Sequence, residues 1–188
     1  MKRTICLIFA LVLALSVVCG AAAAENTFKT AYYTLTLPQG WEIDTEEVGV
    51  EEEDKNLKEE YLGSFYEKKG IGLFIEAYLV YYKDSELQNT RLWEAGEAEL
   101  QSYEQEIMEV YEDDDPVLLD RVQADRIPFV LIKAADDEGE YLYAETMSNG
   151  YAIAFYAYII DDDETLYSLN NQSIEQFKNI LKTFQPMT

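Results

Sequence analysis

Between Tyr33 and Leu37 the chain alternates apolar and polar residues, the period of a strand that buries one face. Pro38 and Gly40 then fit the second and fourth positions of a type I turn, and Trp41 and Ile43 resume the alternation. A second strand is predicted over Tyr61 to Glu67. Lys69-Gly70 with Gly72 turns into a long third strand that ends near Tyr82. From Arg91 to Tyr111 the period changes. Trp93, Gly96, Leu100, Tyr103, Ile107 and Val110 recur three or four apart, with Glu94, Glu97, Glu99, Glu104 and Glu106 on the wet side, which predicts a helix. Asp113 to Pro116 ends it, because proline cannot continue the hydrogen-bond ladder.

Four strand-like runs follow, Val117 to Val122, Ile127 to Ala134, Glu140 to Met147 and Tyr151 to Ile160. Asn149-Gly150 is a strong hairpin signal, since a type I′ turn needs positive φ at both positions. Tyr151 to Ile160 carries no charge and is predicted to be central, covered on both faces. Ser173 to Phe184 reads as a closing helix. Ser173 and Gln176 form its capping box, and Ile174, Phe177, Ile180 and Phe184 its apolar stripe. These elements define an α+β fold, an antiparallel β-sheet flanked by helices.

The run Tyr33-Thr34-Leu35-Thr36-Leu37-Pro38-Gln39-Gly40-Trp41 resembles the opening strand and P-x-G-W turn of PsbP-like α/β/α sandwiches. That group includes the extrinsic PsbP subunit of photosystem II, a Ran-binding nuclear import factor and many secreted bacterial proteins. The order of strands, long helix, antiparallel meander and final helix is also similar, so the resemblance spans nearly all of Phe28 to Phe184. It implies the sandwich fold and a non-enzymatic role, and it transfers no site residue. Members often have a Gly before the second meander strand, and Val122-Gln123-Ala124-Asp125-Arg126 has none.

Composition changes the picture at the N-terminus. Lys2 and Arg3 precede an uncharged run from Ile5 to Val18, and small residues follow from Gly20 to Ala24. Ala22 and Ala24 satisfy the A-x-A rule, so residues 1–24 read as a signal peptide and residues 25–188 as one mature domain. The apolar run is shorter than the ~20 residues a spanning helix needs. Both cysteines, Cys6 and Cys19, fall in the signal, which leaves no disulfide or thiolate site. Lipid attachment at Cys19 is disfavoured by Val18 and Ser16, where a small residue and Leu belong. A secreted or extracytoplasmic location is expected.

The mature chain has 12 basic residues against 37 acidic ones, a net charge of −25. That charge opposes nucleic acid and anionic membranes, favours cations and basic partners, and is expected to keep the protein soluble and monomeric. Ten of the nineteen residues from Glu42 to Glu60 are acidic, and the stretch reads as a solvated loop.

The absence of histidine removes Ser-His-Asp triads and histidine-ligated metals, and no phosphate-binding glycine motif is present. Carboxylate pairs remain, and Glu76 and Glu145, inside strands, are the two candidates for a buried acid, although an outward-facing strand position is the ordinary expectation. Asp161-x-Asp163 starts like a calcium loop, but Leu166 and Gln172 occupy the positions that need Gly and Glu, which excludes an EF-hand. If the four runs form a meander, the acidic clusters around Asp113 and Asp115, Asp137, and Asp161 and Asp163 share one end of the sheet. They are the candidates for a weak surface calcium site, and no other cofactor is implied. Tyr141 and Tyr143, like Tyr156 and Tyr158, share a strand face and read as core tyrosines with hydroxyls at a wet margin. The function expected is a non-catalytic binding or accessory domain with a protein partner in the cell envelope. A small carboxylate-dependent hydrolase and a calcium-responsive cell-surface protein stay open as alternatives.

Overall fold

The alternation at Tyr33–Leu37 forms strand β2, with Tyr33, Leu35 and Leu37 buried. A computed structural model describes residues 26–53, 57–68, 70–83 and 87–187; the signal segment, with Cys6 and Cys19, lies outside them. Strand β1 (Asn26–Lys29) and the short β12 (Gln185–Pro186) flank β2 in a three-stranded sheet. The turn after β2 runs one residue later than its sequence suggests. Trp41 N–H donates to the Pro38 carbonyl at 3.4 Å and Gly40 takes φ +88°, so the glycine fills the third position, where a type II turn needs positive φ.

The large sheet contains β3 (Trp41–Asp44), β5 (Leu57–Glu67), β6 (Gly72–Tyr82), β7 (Val117–Ala124), β8 (Ile127–Ala135), β9 (Glu140–Ser148) and β10 (Tyr151–Ile160). Its order is β3-β5-β6-β10-β9-β8-β7, every neighbour antiparallel, and the short β11 (Leu166–Tyr167) pairs with the end of β10. The acidic stretch expected to be a loop instead contributes a strand, β4 (Gly49–Glu53), paired to the start of β5. It lies on an edge, where strand charges block pairing with another chain and cost little. Asn149 and Gly150 take φ +52° and +81°, as a type I′ turn requires. In the β7–β8 turn Asp125 takes φ +51°, a left-handed conformation that Asp adopts more readily than most side chains, in a segment that has no Gly.

The long helix α1 spans Glu97–Val110, not Arg91 to Tyr111. Gly96 would cost about 1 kcal/mol inside a helix. It caps α1 instead, its N–H donating to Glu99 Oε2 at 2.6 Å. Residues 92–94 form a separate 3₁₀ turn that buries Leu92 and leaves Trp93 37% exposed. The final helix, α2 (Asn171–Leu181), starts earlier than expected. Asn170 is its cap, and Ser173 is the reciprocal partner rather than the cap itself. Phe177 and Ile180 are buried on its inner face, and Phe184 follows the helix into the core.

Two cores result. One lies between the large sheet and the layer made of α2 with β1 and β2, around Phe28, Phe65, Ile75, Phe129, Phe155 and Phe177. The other lies under α1, around Tyr103, Ile107, Val130, Ile132, Tyr143 and Met147. Strand β10 is covered on both sides as its charge-free sequence predicts: Ala154 and Phe155 are buried, Ile153 and Tyr156 half-buried. No helix among the described residues is long and apolar enough to cross a membrane.

Candidate functional site

Strand pairing places the side chains of the α1-facing surface in rows that run across the large sheet. One row is Glu42, Tyr66, Phe74 and Tyr158; the next is Asp44, Ser64, Glu76, Tyr156 and Tyr143; a third is Tyr61, Tyr78, Ala154 and Glu145. Helix α1 covers the β8, β9 and β10 side of these rows. Towards β3, β5 and the Gly72 end of β6 the same face is open.

Under the helix, Glu145 is 5% exposed, so the expectation of an outward-facing acid fails. Its strand face does point out from the main core, but Tyr103 and Ile107 of α1 close over it. Tyr103 OH donates to one carboxylate oxygen and Tyr143 OH to the other. Burial raises the Glu145 carboxyl above its ordinary range, against the pull of these two donors. Burial and the neighbouring Glu145 charge push both phenols up. Tyr111 and Tyr156 extend the cluster, with hydroxyls 2.5 Å apart, and Tyr141 OH donates to Asp114 Oδ2 at 2.5 Å. These are core tyrosines with satisfied polar tips, and they fix the helix to the sheet.

The open part is different in character. A groove of about 720 Å³ runs over it. Among the described residues, eight carboxylates, Glu42, Asp44, Glu47, Glu67, Glu76, Asp161, Asp162 and Glu164, line it against one ammonium, Lys68, which is itself held by Glu42. Tyr61, Tyr66 and Phe74 contribute to its walls and floor, and Tyr66 stacks on Phe74 with centroids 5.9 Å apart. A second hollow of about 400 Å³ adjoins it, sharing Phe74, Glu76, Ile160 and Glu164 and adding Asp136, Glu138 and Tyr158. Glu76 stands where the two meet. It is half-buried, and burial, with help from Glu51, raises its carboxyl. It makes no hydrogen bond or ion pair among the described residues.

Glu76 and Glu145 do not flank a common space. They are two strands and two residues apart, which the ~4.8 Å strand spacing and ~3.4 Å rise convert to about 12 Å, and Tyr78 and Tyr156 stand between them. Glycosidase carboxyls lie roughly 5–9.5 Å apart across a shared cleft.

The meander brings the acidic clusters to one end of the sheet, as its topology requires. Asp113 and Asp115 lie in the exposed link between α1 and β7, Asp137 in the β8–β9 turn, and Asp161 and Asp163 in the turn after β10. Asp161 is engaged within its own turn, accepting from Asp163 N at 2.9 Å, Thr165 N at 3.0 Å and Tyr167 OH at 2.7 Å. Tyr167 is the main reason its carboxyl lies below the usual range. No three carboxylates converge as a metal site among the described residues. Sequence reasoning missed Glu42, Asp44, Tyr66 and Phe74. The alternation Phe74, Glu76, Tyr78 was a signal for a mixed aromatic and acidic face, but the pairing of β6 with β10 that completes it is non-local.

No known family's sequence profile matches the chain, and curated proteins give no match. Among solved structures it is similar to the solution structure of cyanobacterial PsbP (CyanoP) from Synechocystis sp. PCC 6803, at 12% identity and a TM-score of 0.45, over 89% of this chain and 96% of that one. This is the group to which the opening strand and P-x-G-W turn point. No residue role is carried across from it.

Proposed function

We propose that the protein is an exported, non-catalytic binding or accessory domain that acts through the open face of its large sheet. The carrying observation is the uncovered surface itself. A sheet face in the middle of a sandwich is normally buried, yet here Tyr66, Phe74 and Glu76 are left half-exposed beside a helix that covers only the neighbouring strands. Export rests on the signal-like residues 1–24, which also account for a mature chain without cysteine. A hydrolytic role is less well supported, because its two strand carboxylates stand on either side of a tyrosine pair.

Site-specific photo-crosslinking in the native cells tests the reading. A photoreactive residue at position 74 or 66 is expected to give a discrete adduct, and one at Val110, 77% exposed on α1, to give none. Equal labelling from both places, or adducts from position 110 alone, overturns it.

A further inference from the structure

We infer that the occupant of the open face is a lysine- or arginine-bearing segment of a protein partner, an inference that rests on the surface reading above. Four features select this chemistry. Among the described residues the groove has eight carboxylates to one ammonium, and the chain as a whole is strongly acidic, so its field attracts cations and repels a second copy of this chain. Its carboxylates are spread along the groove and no three converge among the described residues, which suits several separated ammonium or guanidinium groups better than one metal ion. Phe74 and the stacked Tyr66 offer ring faces, which attract organic cations beyond simple charge. Glu76 sits half-buried at the junction of the two hollows without a partner among the described residues, and a cationic side chain is the group that would satisfy it.

The size of the surface points the same way. A groove of about 720 Å³ continued by a hollow of about 400 Å³ is larger than one small amine fills. A chain segment with cations on successive side chains suits carboxylates set apart along the groove, such as Asp44, Glu76 and Asp162. Arginine gains most, since its planar fork both stacks on rings and pairs with carboxylates.

Fluorescence anisotropy of a dye-labelled peptide of alternating Lys and Ala tests the inference, with the Gln and Ala counterpart as the neutral probe. The lysine peptide is expected to bind and the glutamine peptide not. Glu76→Gln should weaken binding by about fivefold or more, whereas Glu109→Gln, which removes the same charge from the outer side of α1, should change it by less than about twofold. Phe74→Ala should weaken it by about threefold or more. Glu76→Asp keeps the charge and should restore binding to within about twofold, which separates charge from folding. Equal effects of Glu76→Gln and Glu109→Gln would reduce the binding to general attraction and overturn the inference. So would spermidine or calcium displacing the peptide at a lower concentration than free peptide does. Adducts from position 74 in cells, together with no discrimination among these peptides, would leave the surface reading standing and remove the basic partner alone.

Discussion

Glu145 offers the sharpest test of the packing between α1 and the sheet. Its carboxylate is sealed under the helix and held by two phenol hydroxyls, Tyr103 and Tyr143. Burial raises its folded-state pKa above the ordinary 4.5. A raised carboxyl favours the folded state when protonated. Its contribution is therefore fully present below about pH 4.5 and is lost as pH rises through the folded value, above which the fold carries a buried charge. Glu145→Gln keeps the shape, offers one acceptor oxygen to Tyr103, and lets Tyr143 accept from the amide. Relative to wild type, this variant should be close to neutral near pH 4 and gain stability as pH rises towards 8. Taking the difference at each pH cancels the general repulsion of the acidic chain. Glu145→Ala strands at least one buried hydroxyl, at about 1–3 kcal/mol each. Urea melts across this pH range measure both. If Glu145→Gln loses stability relative to wild type as pH rises, the two tyrosine hydrogen bonds outweigh burial and the reasoning is wrong.

Phe155 is fully buried against Tyr33, Phe65 and Phe129, so Phe155→Ala should lower stability by about 3–5 kcal/mol in a urea melt. Gly63 holds φ +116° at the β5 bulge, and a Cβ there would stand 2.6 Å from the Asp44 carbonyl oxygen. Gly63→Ala should cost roughly 1–3 kcal/mol and loosen the β3–β5 pairing, read as faster amide exchange in Trp41–Asp44. Tyr33 OH is buried without a partner among the described residues, so Tyr33→Phe should be neutral or raise stability by up to about 1 kcal/mol in thermal melts.

Local periods made much of this fold legible. The meander, both helices and the Asn149-Gly150 hairpin follow from alternation, three-to-four spacing and turn chemistry within single segments. Helix ends were less readable, because Gly96 looks like part of the α1 stripe and Asn170 precedes the more obvious Ser173. Strand β4 was hidden because its acids make a poor strand by composition, and only its place on the edge makes that tolerable. Glu145 was visible as a candidate acid, but its burial depends on how far α1 reaches over β9. The open face depends on β6 lying between β5 and β10, a pairing that joins residues seventy or more apart in sequence.

The most direct measurement of the central claim is an amide chemical-shift map of the isotope-labelled protein, taken while the alternating lysine peptide is added. Saturable shifts are expected along Glu42–Asp44, Ser64–Tyr66, Phe74–Glu76 and the Asp161–Glu164 turn, with α1 and the β1-β2-β12 sheet unmoved. Shifts centred on α1, or scattered evenly over every acidic segment without saturation, would contradict it.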